Sequence, residues 1–162
     1  MFLYHGSNII VNEPRIIESV RARDFGSAFY TTSSRAQALR WASLQEKRRR
    51  TGVAQISIYD FDIQVASHNL KIKIYEYPNK EWLDFVVDNR KSKYEGLTYD
   101  LVIGPVANDR TMTVINDYIM GNISEETALI LLMPQKLEDQ YAFLSQEALS
   151  NLTFVEGVRC DE

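Results

Sequence analysis

The chain has 162 residues, 45% of them hydrophobic, which predicts one domain over residues 1–162 with a core of ordinary size. A formal net charge of -4 and a pI of about 5.3 exclude a global basic field that would draw the protein to nucleic acid or acidic membrane. The lone cysteine, Cys160, excludes an internal disulfide and a multi-cysteine metal site. No run approaches the roughly 18 apolar residues of a membrane span, and Met1-Phe2-Leu3-Tyr4-His5-Gly6 lacks the charged leader of a signal peptide, so a cytoplasmic protein is expected.

Phe2 to His5 reads as a short strand, and Asn8 to Arg23, with Pro14, as an irregular stretch or short strand. Asp24-Phe25-Gly26-Ser27 is a turn that delivers the chain into Phe29-Tyr30-Thr31-Thr32, whose aromatic and β-branched residues give strand character. Ser33 and Ser34 can cap a helix from Arg35 to about Lys47, where Ala38, Trp41, Ala42 and Gln45 recur at helical spacing. This helix ends in Lys47-Arg48-Arg49-Arg50, which reads either as a solvated helix C-terminus favoured by the helix dipole or as an RNA or phosphate contact.

Val53 to Phe61 alternates apolar and polar residues as a strand does, and Leu70 to Tyr77 does the same until Pro78 stops it. Asn79 caps a helix from Lys80 to about Asn89 with Trp82, Phe85 and Val86 as its inward stripe. Tyr99 to Ile103 is a buried strand entering Gly104-Pro105. Asn108-Asp109-Arg110 then reads as a turn with Asp109 capping the next helix, or as a substrate or diphosphate contact. Helices follow over Thr111 to Met120 and Ser124 to Met133, then strand Gln140 to Leu144, a short helix Gln146 to Leu149, and strand Thr153 to Val158. Strands and helices mix without regular βαβ alternation, which makes the class α+β. Spacing offers no metal-ligand grouping and no Gly-rich phosphate loop.

Three blocks carry candidate chemistry: Leu3-Tyr4-His5-Gly6-Ser7, Phe25-Gly26-Ser27-Ala28-Phe29-Tyr30-Thr31-Thr32 and Asp139-Gln140-Tyr141-Ala142-Phe143. In order and residue type they resemble the His-Tyr-Glu branch of the ADP-ribosyltransferases, which includes the catalytic domain of the poly(ADP-ribose) polymerases. Over nearly its whole length, including Gly104-Pro105-Val106-Ala107-Asn108-Asp109, the chain resembles the bacterial family DUF3990 of that clan. The resemblance implies an ADP-ribosyltransferase-like α+β fold, with antiparallel and mixed sheets flanked by helices, and NAD as co-substrate.

By the same resemblance, His5 holds the adenosine ribose, the Gly6 backbone grips the nicotinamide amide with Ser7 also among the NAD-binding residues, and Tyr30 and Trp41 sandwich the nicotinamide ring. A neutral imidazole can donate to a ribose hydroxyl, a residue without Cβ admits a flat ring, and aromatic faces suit a ring that stays cationic until it leaves. Taken without the resemblance, His5 reads more readily as a structural strand-end residue, and core packing is the secondary reading of Trp41 and, more weakly, of Tyr30. The helical Ser that binds the nicotinamide amide in the family is Ala38 here, and Thr32 or Ser33 could replace that contact.

The polymerase Glu that grips the nicotinamide-ribose 2′-hydroxyl corresponds to Gln140, which offers a dipole where a carboxylate would offer charge. Glu138, two residues earlier on the strand, is the alternative carboxylate. Arg21 and Arg23 could meet the diphosphate. The expectation is therefore a mono-ADP-ribosyltransferase with His5, Tyr30 and Gln140 as catalytic residues, acting on a protein, nucleic acid or small-molecule acceptor. A bacterial toxin with an antitoxin partner fits such a chain; the alternative is a catalytically weak or inactive NAD or ADP-ribose-binding module.

Overall fold

A computed structural model describes residues 1–18 and 23–161 of the chain. It is an α+β structure built on two sheets. The first is three-stranded and antiparallel, ordered β1 (Phe2–Ser7), β3 (Gln55–Asp60) and β7 (Thr153–Arg159). The second is four-stranded and mixed, ordered β2 (Phe29–Thr31), β6 (Asp139–Phe143), β5 (Leu101–Pro105) and β4 (Ile72–Ile74), with only β4 and β5 parallel. Backbone hydrogen bonds between Tyr4 and Thr32, at 2.8 and 3.0 Å, tie the first sheet to the second.

Strand alternation sorts the side chains into three layers of core. Leu3, Phe29, Tyr59, Phe61, Leu101, Ile103 and Phe143 meet between the sheets. On the opposite face of the second sheet, Val102 and Ala142 pack against Trp82, Phe85 and Val86 of α3 (Lys80–Arg90), Ile115 of α4 (Asp109–Ile119), and Ala128 and Leu132 of α5 (Glu125–Leu132). The outer face of the first sheet is covered by α1 (Arg35–Arg49), whose Ala38 packs with Ile56 and Ile58.

Caps fix where the helices begin. Ser34 accepts from the Gln37 amide at the start of α1, and Asn79 from the Trp82 amide at the start of α3. Asn108, rather than Asp109, caps α4: its Oδ1 accepts from the Thr111 amide at 2.8 Å, and Asp109 sits in the first turn, where its charge complements the dipole.

Two elements differ from the sequence expectation. The strand expected over 70–77 pairs only from Ile72 to Ile74, because Leu70 is drawn into the inter-sheet core and Tyr75 packs beneath Phe25 and Phe85. Ahead of it lies a short helix, α2 (Ile63–Ser67), begun by Asp62, whose Oδ1 accepts from the Gln64 and Val65 amides. The remaining helix, α6 (Gln146–Leu149), lies where expected. Among the described residues no helix is long and apolar enough to cross a membrane.

Candidate functional site

At the end of β1 the chain presents His5 beside β2. Its Nδ1 lies 2.7 Å from the Tyr30 carbonyl oxygen, and its ring stacks on Phe29 with centroids 4.3 Å apart. Burial, reinforced by the Arg49 charge, lowers its pKa from the ordinary 6.5 to about 4 against the opposing pull of that carbonyl. The ring is therefore neutral at pH 7. A carbonyl only accepts, so Nδ1 carries the proton and Nε2 is left as an acceptor. This corrects the expectation that His5 donates to a ligand hydroxyl: its donor is already committed to Tyr30.

Gly6 is explained by a neighbour other than a ligand. A Cβ built there would lie 1.9 Å from the Ala38 carbonyl oxygen and 2.7 Å from the Ala42 nitrogen, so α1 can rest on β1 only because residue 6 has no side chain. The Ala38 side chain is fully buried against Ile56 and Ile58 in this seam and does not line the cleft described below. Ser7 is also buried and donates to Asn8 Oδ1 at 3.2 Å.

Tyr30 contributes a wall. Its hydroxyl donates to the Gly26 carbonyl at 2.5 Å and accepts from the Phe25 amide at 3.2 Å, closing the turn that precedes β2. Burial pushes its phenol far up, so it is no acid or base at neutral pH. The Arg23 guanidinium stands 6.0 Å from the ring centroid. Trp41 is half-buried on α1 and belongs to none of the three buried clusters, so the core-aromatic reading does not describe it.

Thr32 behaves differently. It is fully buried, and its Oγ1 donates to the Asp139 carbonyl at 2.8 Å while accepting from the Ser34 amide, which fastens the β2–α1 turn to β6. Ser33 is held by the Asp139 carboxylate through both its amide and its hydroxyl. Neither residue is free to replace the contact absent at Ala38. Glu138 is likewise engaged elsewhere, with Arg40 and the Ser34 hydroxyl. It does not line the cleft, which removes it as the alternative carboxylate.

The carboxylate that does stand beside Gln140 is Asp24. Asp24 and Gln140 are 6% and 3% exposed, and Gln140 Nε2 donates to Asp24 Oδ2 at 3.2 Å. The same oxygen accepts from the Ala107 amide at 3.2 Å. Asp24 Oδ1 takes the Arg90 guanidinium through Nε at 2.7 Å and through a second, shorter contact from Nη2. Arg90 is the last residue of α3, where a cation complements the helix dipole. Sequence reasoning placed Asp24 in a turn and did not single out Arg90. The one available signal was an Asp ahead of an aromatic block, which turn chemistry already explained.

These parts surround one cleft of about 640 Å³. His5, Gly6, Ser7, Tyr30, Trp41 and Gln140 all line it, and Thr32 does not. Its rim is strongly cationic for an acidic protein: Arg15, Arg23, Arg48 and Arg49 line it together with Arg90, against Glu13 and Asp24. Arg48 and Arg49 therefore stand at a cleft wall as well as at a helix C-terminus. Arg21 lies outside the described residues. Asn108, Asp109 and Arg110 are not part of the lining. Among the described residues no grouping of His, Cys, Asp and Glu could hold a metal ion.

A family model described as "Protein of unknown function (DUF3990)" matches residues 1–154. No curated protein and no solved structure matches the chain. The match runs from the first strand through the whole cleft and into β7, so the chain belongs to the DUF3990 family.

Proposed function

We propose that the cleft binds NAD and that the protein is a mono-ADP-ribosyltransferase with an ADP-ribosyltransferase-like fold. The observation that carries this reading is that His5, Gly6, Ser7, Tyr30, Trp41 and Gln140, drawn from distant parts of the chain, line a single cleft. Its volume of about 640 Å³ falls within the roughly 300–1,000 Å³ common for small-ligand sites. The arginine rim suits a diphosphate, and the Tyr30 and Trp41 rings suit a cationic nicotinamide.

In this reading, His5 Nε2 accepts a hydrogen bond from the adenosine ribose and Gln140 accepts one from the nicotinamide ribose. The bond between ribose C1′ and the nicotinamide nitrogen breaks, its electron pair leaving with nicotinamide. An acceptor lone pair then forms the new bond to C1′, and the acceptor loses a proton. Positioning and electrostatics supply most of the rate. Gln140 gives an amide oxygen where a carboxylate would give a full charge, so single transfer is expected and polymer formation is not. The acceptor is a protein, a nucleic acid or a small molecule, and a toxin paired with an antitoxin protein is the biological setting that fits.

A second reading, a catalytically weak or inactive module that binds NAD or ADP-ribose, is favoured by the same Gln140. Incubating the purified protein with NAD and cell extract separates them. A transferase releases free nicotinamide and leaves labelled ADP-ribose on an acceptor, whereas a reader binds NAD and releases none. Absence of both binding and release would remove the two readings together.

A further inference from the structure

Asp24 is a buried carboxylate at the floor of the cleft that the resemblance gives no role. We propose that it is a positioning residue for Gln140: held by Arg90, it takes the Gln140 Nε2–H and so turns the amide oxygen toward the cleft as a hydrogen-bond acceptor. This rests on the reading that the cleft holds NAD.

The orientation follows from the chemistry of the partners. An amide can usually be turned either way about its long axis, but an ionised carboxylate accepts and never donates. The group 3.2 Å from Asp24 Oδ2 must therefore be the NH2 of Gln140. Asp24 itself cannot swing away. One oxygen is gripped by two nitrogens of Arg90, and the other also takes the Ala107 amide. That leaves Gln140 Oε1 without a partner among the described residues. Since no buried side-chain oxygen or nitrogen among the described residues lacks one, Oε1 is reached by solvent, through the cleft that Gln140 lines. Donation to a carboxylate also polarises the amide and makes its oxygen a better acceptor.

The same contact explains why glutamine suits position 140. A carboxylate there would stand against the Asp24 carboxylate, and two such groups in contact resist ionising together. The identities of residues 24 and 140 are thus coupled: one charge and one amide, with the charge now at Asp24.

The test moves the charge. Asp24→Asn, Gln140→Glu and the double variant keep side-chain size nearly constant and are compared with wild type in two measurements. One is thermal unfolding without ligand at pH 7; the other is NAD titration by calorimetry. Asp24→Asn frees the amide to turn and is expected to weaken NAD about tenfold, the worth of a strong hydrogen bond. Gln140→Glu, although it installs the residue type of the polymerases, is expected to lower the melting temperature and to weaken NAD as well. The double variant restores one charge and one amide, and is expected to regain most of the melting temperature and to bind NAD within about threefold of wild type, a non-additivity expected only of coupled residues. Additive losses, or NAD binding by Asp24→Asn as tight as wild type, would overturn the proposal. If wild type binds no NAD, the functional reading fails, while recovery of melting temperature in the double variant still supports the Asp24–Gln140 pairing and its absence refutes it.

Discussion

The two walls of the cleft are held by different physics. On the β1 side the geometry is set by backbone: α1 lies against β1 so closely that Gly6 has no room for a methyl group, and His5 is fixed by the Tyr30 carbonyl and the Phe29 ring. On the β6 side it is set by side-chain charge, with Asp24 joining Arg90 of α3, Gln140 of β6 and Ala107 of the segment between β5 and α4. Volume is what the first wall cannot tolerate. An unbalanced charge is what the second cannot tolerate. A cleft built this way has one rigid side for aromatic contacts and one side whose hydrogen-bonding atoms are oriented electrostatically.

The largest expected effect is on the first wall. Gly6→Ala would place a methyl group 1.9 Å from a backbone oxygen that cannot move without shifting α1. A loss of at least about 3 kcal/mol is expected in urea unfolding, at the upper end of overpacking costs. A loss under about 1 kcal/mol would mean that the helix and strand separate easily and that the rigid wall is not rigid. Next is Asp24→Ala, which leaves Arg90 unpaired and two donors unsatisfied. Because the Arg90 side chain keeps 29% exposure, solvent screens part of the penalty, and about 2 kcal/mol is expected. Little or no change would show that the charge network is dispensable to the fold.

A smaller effect comes from His5, and its sign is fixed by the lowered pKa. The unfolded chain binds a proton at the ordinary 6.5, the folded chain only at about 4, so protonation favours unfolding between those values. Stability contributed by the neutral imidazole is complete above pH 6.5 and is lost as the pH falls toward 4. Comparing wild type with His5→Asn across that window should isolate a slope approaching about one proton. Identical pH profiles for the two proteins would show that the imidazole is not held neutral.

How much of this the sequence revealed follows the same division. The first wall is written locally: a strand ending in His5-Gly6-Ser7, an aromatic strand at Phe29-Tyr30, and a helix capped by Ser34 that carries Trp41 on its cleft side. Propensity, capping and helical spacing are short-range rules, so each of these could be placed. The second wall depends on residues 24, 90, 107 and 140 meeting in space, and no periodicity connects them. Asp24 carries the composition of a turn whether or not it also serves as a buried carboxylate. Glu138 shows the converse: strand alternation brings it toward the face of Gln140, but it precedes β6 and is taken by Arg40 and Ser34 instead. Helix α2 is not legible in the sequence because its five residues are too few to display a helical period.

The cleft reading is tested most directly by tryptophan fluorescence during NAD titration. The chain has two tryptophans: Trp41 lines the cleft, and Trp82 is fully buried with its indole nitrogen bound to the Pro105 carbonyl at 3.1 Å. Nicotinamide stacking on Trp41 predicts saturable quenching in wild type that disappears in Trp41→Phe, whose one remaining tryptophan is Trp82. No saturable change in wild type, or equal quenching in Trp41→Phe, would contradict the placement of NAD in this cleft.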